Sequence, residues 1–348
     1  MRRWAVLLFI ILSLIIYAQS GSIQLQPEHQ AYVISMGLEH TPEGNVKLSV
    51  LCPKIAGESS SEYQTFEGEG DSVCQALEDL KLSVPRHLVY VQLKSLLLSE
   101  EFASSDAMED LVYYFLLGGE FYSDAWVMIS PQAPSSFISD YGPVIGTRLS
   151  ASILATMENY TQLNVIPSVY LADLIDGWNT IYGDVVAVSC HPKKVKDVVS
   201  LIPDGAALFS EKRLALQLDA EETQIMNWLR GSYGDVTLED GDSVLNLIPE
   251  FPAKVSFDWE QNRIVISGHF IQRTQAGSIP TPDLERLLER NVTRLIARCQ
   301  AANTEPFLFS EQAGRSFVDV EAYRANDFRS FYRSADVLVD LTVRDELT

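Results

Sequence analysis

Residues 281–299 limit the possible folds of this chain more than any other segment, because their pattern predicts a long amphipathic helix. Thr281, Pro282 and Asp283 form a typical helix start, with an N-cap residue, a first-turn proline and a first-turn acid. The apolar residues that follow recur at helical spacing and share one face: Leu284, Leu287, Leu288, Val292, Leu295, Ile296 and Cys299. A helix with one apolar face needs an apolar surface to pack against.

The end of the chain supplies such a surface as a predicted strand. Its apolar residues alternate with more polar neighbours and therefore point to one side: Val337, Val339, Leu341 and Val343. A hairpin is predicted before the long helix, with strands at 254–258 and 263–270, and a second helix after it at 322–333. This order predicts an α+β domain over residues 236–348, with helices packed on one face of a mainly antiparallel sheet. We interpret the arginines on the other side of the long helix as a solvated face: Arg286, Arg290, Arg294 and Arg298.

Strands and helices alternate in the first part of the chain, which predicts an α/β domain over residues 21–148. The predicted strands are 32–38, 46–52, 87–98 and 125–129, and the third is interrupted near Lys94. The predicted helices are 72–82 and 106–117. A capping box of Asp106 and Glu109 opens the second helix. Residues 56–70 are rich in Gly, Ser and Glu and predict an exposed loop. We interpret its Gly68-Glu69-Gly70 as a tight turn and not a nucleotide-binding loop, since Val73 stands where the third glycine would be.

Residues 149–235 are predicted to form a helix-rich middle region with a short hairpin. Helices are predicted at 149–160, 168–175 and 192–203, and hairpin strands at 206–209 and 214–217. Asp219 and Glu222 form a capping box that opens one more helix, which ends at Gly231.

The first 20 residues have the layout of a secretory signal peptide. Arg2 and Arg3 precede an apolar run over residues 4–17. The triplet Ala18-Gln19-Ser20 follows, with the small residues at its two ends that are typical of a cleavage site. A helix of those 14 residues would be about 21 Å long, against about 30 Å of bilayer hydrocarbon. We therefore expect cleavage, with a retained N-terminal anchor as the alternative. In both cases the folded body lies outside the cytoplasm.

Composition excludes several classes of protein. The 348 residues exceed one ordinary domain, and 47% are hydrophobic, enough to form cores and to exclude wholesale disorder. One long apolar stretch excludes a polytopic membrane protein. A formal net charge of −21 argues against nucleic-acid binding, because such a chain repels phosphate backbones.

No catalytic, cofactor or metal motif stands out in the sequence. The four cysteines, Cys52, Cys74, Cys190 and Cys299, are scattered without metal-ligand spacing, and we expect neither a disulfide nor a bound metal or organic cofactor. Cys299 continues the apolar stripe of the long helix and is expected to be buried. Such a sequence favours a binding or assembly role over an enzyme.

Phrases spread over almost the whole chain, in order, resemble the Ger(x)C family, the C subunits of bacterial spore nutrient germinant receptors. The first is residues 34–39 together with the strand at 46–50. The second is a helix at 76–80, followed by Pro85-Arg86-His87-Leu88 and an apolar strand that ends in Glu100-Glu101. The third is 204–209 with the helix at 221–231, and the fourth is Cys299-Gln300 followed by 305–309 and the last strand. The resemblance implies structural or interface roles for the residues that match: Pro85, Arg86, Glu100, Gly205, Phe209, Glu222, Trp228, Gln300, Phe307 and Phe309.

The sequence departs from the family pattern at the lipid-attachment position. Family members carry a lipid-modified cysteine just ahead of the first strand, whereas Gly21 occupies that place here. We therefore expect no lipid anchor. Leu308 and Ser310 stand where the family prefers glycines.

The resemblance implies a non-enzymatic subunit on the outer face of the spore inner membrane, assembled with membrane-embedded A and B subunits to trigger germination. An exported solute-binding protein that captures the nutrient directly is the main alternative. A cell-wall hydrolase is a third possibility. A deep pocket with converging polar groups would favour capture, a close carboxylate pair in a cleft would favour hydrolysis, and an apolar patch with a polar rim would favour a scaffold.

Overall fold

The computed structural model describes residues 29–54, 62–118, 124–144, 147–179, 184–240, 243–273 and 281–345. The strands in this part of the chain are β1 (Gln30–Tyr32), β2 (Ser35–His40), β3 (Val46–Pro53), β4 (Tyr63–Gly70), β5 (His87–Val89), β6 (Ser95–Ser99), β7 (Trp126–Ser130), β8 (Val186–Val195), β9 (Val198–Ser210), β10 (Arg213–Leu218), β11 (Val236–Asp240), β12 (Ser243–Pro249), β13 (Lys254–Asp258), β14 (Arg263–Gln272) and β15 (Asp336–Asp345). The α-helices are α1 (Val73–Ser83), α2 (Glu100–Ala103), α3 (Ala107–Gly118), α4 (Leu149–Gln162), α5 (Leu171–Asn179), α6 (Ala220–Leu229), α7 (Thr281–Ala301), α8 (Phe309–Gly314), α9 (Val320–Ala325) and α10 (Phe328–Ser334).

Eight strands form the first sheet in the order β10-β9-β8-β7-β6-β2-β3-β4. Its centre is parallel, from β2 through β6 and β7 to β8, and antiparallel strands flank it on both sides. Helices α1, α3 and α5 cover one face, and α4 with the turns near Ile138 covers the other. Every residue of β6 and β7 is buried, as expected of parallel strands covered on both faces.

The predicted loop at 56–70 is wrong over its second part, because Tyr63–Gly70 forms β4 at the edge of this sheet. It pairs with β3 from Val46↔Gly70 to Pro53↔Tyr63, while residues 55–61 lie outside the described part. The glycines of β4 do not form a turn. A Cβ added at Gly68 would lie 2.3 Å from the Ala76 carbonyl oxygen, so the glycines allow α1 to pack directly on the strand.

The predicted helix at 192–203 is also wrong, because this segment forms a β-hairpin from the adjacent parts of β8 and β9. The two strands pair from Cys190↔Pro203 to Val195↔Val198 around a turn where Lys196 has φ +57°. Their apolar spacing fits a strand period as well as a helical one, and cross-strand pairing decides between the two. Three strands of the predicted middle region thus join the first sheet, which runs across the boundary placed at residue 148.

The second sheet has the order β11-β12-β14-β13. Strands β12 and β13 pair with different parts of one edge of β14, and β15 pairs with its other edge. The predicted hairpin is confirmed as β13–β14, which is antiparallel, but β15 runs parallel to β14 over ten residue pairs. The long helix is confirmed as α7, and every residue of its predicted apolar stripe is buried, Cys299 included. The side chains of Leu341 and Val343 on β15 pack into the same core. The fold class is therefore α+β, as predicted.

Two local predictions near helix ends need correction. The predicted helix at 322–333 is two helices, α9 and α10, because Asp327 has φ +40° and caps α10 by accepting a hydrogen bond from the Ser330 N–H. Asp219 caps α6 as predicted, but the Glu222 carboxylate binds Arg298 and does not complete the capping box. The Asp106 carboxylate likewise binds Arg213 and does not cap α3.

Candidate functional site

Residues 303–306, between α7 and α8, form hydrogen bonds with the first sheet, and we call these residues the junction segment. The Thr304 hydroxyl donates a hydrogen bond to the Phe209 carbonyl oxygen of β9 at 3.2 Å. The Ser210 hydroxyl donates to the Asn303 carbonyl oxygen at 2.6 Å. The Glu305 N–H donates to the Asp184 carboxylate at 2.9 Å. These bonds connect the C-terminal half of the protein directly to an edge region of the first sheet.

Two arginines from the C-terminal half hold the junction segment in place. Arg329 donates to the Asn303 carbonyl oxygen at 2.7 Å and pairs with the Asp184 carboxylate at 2.5 Å. Arg230 donates to the Pro306 carbonyl oxygen, and burial lowers the pKa of its guanidinium. The Asp184 side chain is only 6% exposed, so its pairing with Arg329 offsets the cost of burying a carboxylate.

The Glu305 side chain is buried inside this cluster. It accepts hydrogen bonds from the N–H groups of Phe307 at 2.8 Å, Phe309 at 3.1 Å and Ser310 at 3.1 Å, and so caps the start of α8. Leu308 closes the turn with φ +62°, a left-handed conformation in which glycine would be unstrained. Burial raises the pKa of Glu305 to about 7, although these N–H donors oppose the shift. The carboxyl group therefore changes protonation near neutral pH.

Seven of the family-motif residues lie in the core beneath the second sheet or where this core contacts β9. They are Gly205, Phe209, Glu222, Trp228, Gln300, Phe307 and Phe309. They are far apart in sequence, so no local pattern shows that they belong together. Trp228 packs against Phe270, with ring centroids 4.9 Å apart, and its indole N–H donates to the Phe251 carbonyl oxygen. Gln300 donates to the carbonyl oxygens of Tyr332 and Ala335 and so positions the start of β15.

Gly205 lies at the point where the β8–β9 register shifts. Its φ is +156°, and a Cβ there would lie 2.0 Å from the Leu218 carbonyl oxygen of β10. Only glycine fits this close approach of two strands.

The remaining three motif residues lie elsewhere in the N-terminal half. Pro85 is exposed and Arg86 is half-buried, both in the turn between α1 and β5, and Glu100 is the first residue of α2. The structure thus does not bring Pro85, Arg86 and Glu100 to the junction segment. Sequence analysis missed Asp184 and Arg329, which are 145 positions apart and belong to no motif.

A groove of about 750 Å³ opens on the first sheet, on the side of α4. Its lining includes Tyr63, Asp140, Arg148 and Asp197, and the Tyr63 hydroxyl accepts a hydrogen bond from the Leu149 N–H at the start of α4. The groove combines aromatic and charged groups and has room for a small solute.

The described residues contain no group of three or more His, Cys, Asp or Glu side chains placed to hold a metal ion. Cys52, Cys190 and Cys299 are buried thiols and Cys74 is an exposed one. Burial raises the pKa of Cys52 to about 12, so this thiol is unreactive at neutral pH. Among the same residues, no helix combines the length and apolarity needed to cross a membrane.

The second sheet has helices on one face, and its other face carries apolar side chains at two places. Val265 of β14 lies beside Leu338 of β15, which is 50% exposed. Ile271 of β14 lies beside Ile248 of β12. Polar residues separate these two pairs, including His269, whose ring hydrogen-bonds with the Thr342 hydroxyl. We call these four apolar side chains and the polar residues between them the outer face.

Comparisons with known proteins match the chain on both sides of residues 191–203. A family model described as the spore germination protein N-terminal domain matches residues 24–190, and one described as spore germination B3/GerAC-like, C-terminal, matches residues 204–344. The crystal structure of the GerBC protein has a similar fold, with a TM-score of 0.52 and 14% sequence identity over 89% of this chain and 96% of that one. No curated protein sequence matches the chain. Because the two family models together span both sheets, the chain belongs to the Ger(x)C, or GerAC-like, family of spore germination proteins.

Proposed function

We propose that the protein is the non-enzymatic C subunit of a nutrient germinant receptor, exported to the outer face of the spore inner membrane. In this role it would dock with the membrane-embedded A and B subunits. The family match over both halves of the chain supports the assignment. What the subunit does physically has to come from its surfaces.

The outer face is the observation that carries the proposal. A sheet covered on one side only leaves its other side available to a partner. Here half-exposed Leu338 and its neighbour Val265 form an apolar centre, and Asp340, Thr342 and Arg344 of β15 form part of the polar surroundings. Apolar centres within polar rims are typical of protein–protein contacts. The outer face therefore suits a scaffold that binds a protein partner.

Affinity purification from spore inner membranes, followed by mass spectrometry, tests this proposal. The wild-type chain should recover the A and B subunits, and Leu338→Glu should recover much less of both, because it places a charge in the apolar centre. Leu82→Glu is the matched control, since Leu82 is 87% exposed on α1, in the other half of the protein. Failure of the wild-type chain to recover either subunit would refute the assembly. Equal recovery by the two variants would refute the role of the outer face.

The groove beside α4 favours a second candidate, an exported solute-binding protein. Its volume and its mixture of Tyr63, Arg148 and carboxylates suit a small polar molecule. Calorimetric titration of the purified chain with single nutrients tests this candidate. Saturable binding that is abolished by Tyr63→Ala would favour nutrient capture. If no nutrient gave a measurable heat of binding, the solute-binding candidate would be rejected and the scaffold proposal would be the one that remains.

A further inference from the structure

Residues 190–203 form a hairpin arm that extends beyond the first sheet. The last pairs of β8 with the neighbouring strand β7 are at Val188 and Ser189, and β9 pairs with β10 only from Ala206 onward. Between these points the two strands of the arm pair with each other, and one further bridge joins Val199 to Tyr141. The arm therefore presents its turn at the edge of the sheet where the parallel strands end.

The tip of the arm is basic in a strongly acidic protein. Lys193, Lys194 and Lys196 are all exposed, and none forms an ion pair with another described residue. Asp197 is the one acidic residue within the arm. The tip also carries two half-buried apolar residues, Val195 and Val198, which face each other across the turn.

Two acidic groups lie close to the lysines, since Asp204 pairs with His191 of β8 and Asp197 follows Lys196 in the tip. Asp140 is next to Tyr141, which pairs with β9, whereas both lysines are on β8. Strand β9 thus lies between these two lysines and Asp140, whereas Asp197 of the tip also lines the groove. Since the Debye length at physiological salt is about 8 Å, the remote acidic residues are largely screened at the tip. The overall charge of −21 therefore does not cancel this local positive charge.

We propose that the tip, Lys193 to Val198, is a contact site for anionic phospholipid headgroups. The inference rests on the proposed function only in placing the protein beside a membrane. A stable protein interface needs about 800 Å² from each partner, which a two-stranded tip does not offer. A lipid surface needs no such area, because each lysine near it gains from its negative surface potential.

Co-sedimentation of the purified mature chain with vesicles tests the site. We expect binding to mixed phosphatidylcholine and phosphatidylglycerol vesicles, little binding to phosphatidylcholine alone, and loss of binding at high salt. Replacing the lysines by glutamine (K193Q/K194Q/K196Q) should weaken binding about a hundredfold, since each lysine near an anionic surface is worth about fivefold. The matched control is K254Q/R290Q/R294Q, which removes the same charge from exposed positions elsewhere.

Several results would overturn the proposal. No binding by the wild-type chain would do so and would leave assembly with the A and B subunits untouched, because that is measured separately. Equal losses in both triple variants would indicate a general charge effect. If the lysine variant bound vesicles normally but lost the A and B subunits, the tip would be a protein contact. If it bound normally but aggregated, the lysines would instead protect the free edge of β8. Melting curves confirm that each variant is folded.

Discussion

Replacing Glu305 by glutamine should remove a pH dependence from the stability of the protein. Burial raises the pKa of this carboxyl from 4.5 to about 7 in the folded chain. The folded state therefore holds the proton more tightly than the unfolded state does. Protonation stabilises the fold fully below about pH 4.5, and this contribution is lost as the pH rises through about 7.

The magnitude follows from the two pKa values. A shift from 4.5 to about 7 corresponds to about 3 kcal/mol, of which about 2 to 3 kcal/mol is lost between about pH 5 and about pH 8. Glutamine cannot ionise, so Glu305→Gln should flatten this part of the stability profile. The variant should also lose part of the cap, because one carboxylate oxygen accepts from Phe307 and Phe309 and the other from Ser310. If the glutamine oxygen keeps the first two bonds, its NH₂ group faces the Ser310 N–H.

Urea unfolding across this pH range, followed by tryptophan fluorescence, measures the effect; Trp126 and Trp228 are both buried in the fold. The wild-type free energy of unfolding should fall more steeply with pH than that of Glu305→Gln. Glu311→Gln is the control, because Glu311 lies on α8, the helix that Glu305 caps, is only partly buried and pairs with Arg315. If wild type and Glu305→Gln gave parallel profiles, the carboxyl would titrate equally in both states and the argument from burial would be refuted.

Four further predictions concern single features of the chain. A chain ending at Ala335 should lose the C-terminal fold and its protease resistance while one ending at Val343 keeps them, since the apolar side of β15 contributes an upper estimate of about 6–12 kcal/mol; equal resistance would show that β15 is dispensable. Gly205→Ala should lower the melting temperature by several degrees, because its Cβ meets a backbone carbonyl, whereas Gly44→Ala, where φ is also positive but space is open, should cost less; equal losses would contradict this steric reason. Metabolic labelling with a fatty acid should leave the protein unlabelled, and a labelled band would show that Gly21 does not prevent lipidation. Arg86→Ala should lower thermal stability if the half-buried guanidinium holds the turn after α1, or lose receptor assembly at wild-type stability if it contacts a partner; no change in either would contradict both.

Periodicity predicted the elements that carry a complete apolar face. The apolar stripe of α7 and the alternation of apolar and polar residues in β15 are long and regular. Both elements lie where predicted, because only one orientation of each turns its apolar side chains toward the core. The hairpin of β13 and β14 followed from a similarly clear pattern. The resemblance to the Ger(x)C family likewise followed from short phrases in their order, and the family models confirm it.

The failures occurred where local pattern was ambiguous and pairing decided the structure. Residues 192–203 fit either period, and β8 and β9 became strands because each provides the other's hydrogen-bonding partner. The polar, glycine-rich segment of β4 forms a strand because it hydrogen-bonds with β3 along the edge of the sheet. Its glycines leave the space that α1 needs to pack on it.

The sequence by itself therefore determined the α+β class, the buried face of α7 and the family. Only the tertiary structure brought Asp184, Arg329 and Glu305 together, since contacts between residues so far apart in sequence leave no local pattern. It also determined that most family-motif residues lie in the core of the second sheet or where this core meets β9, and that the lysines at 193–196 lie at the tip of an extended arm. Local spacing records which face of a helix or strand is apolar, whereas the pairing of distant strands depends on the whole chain collapsing around its cores.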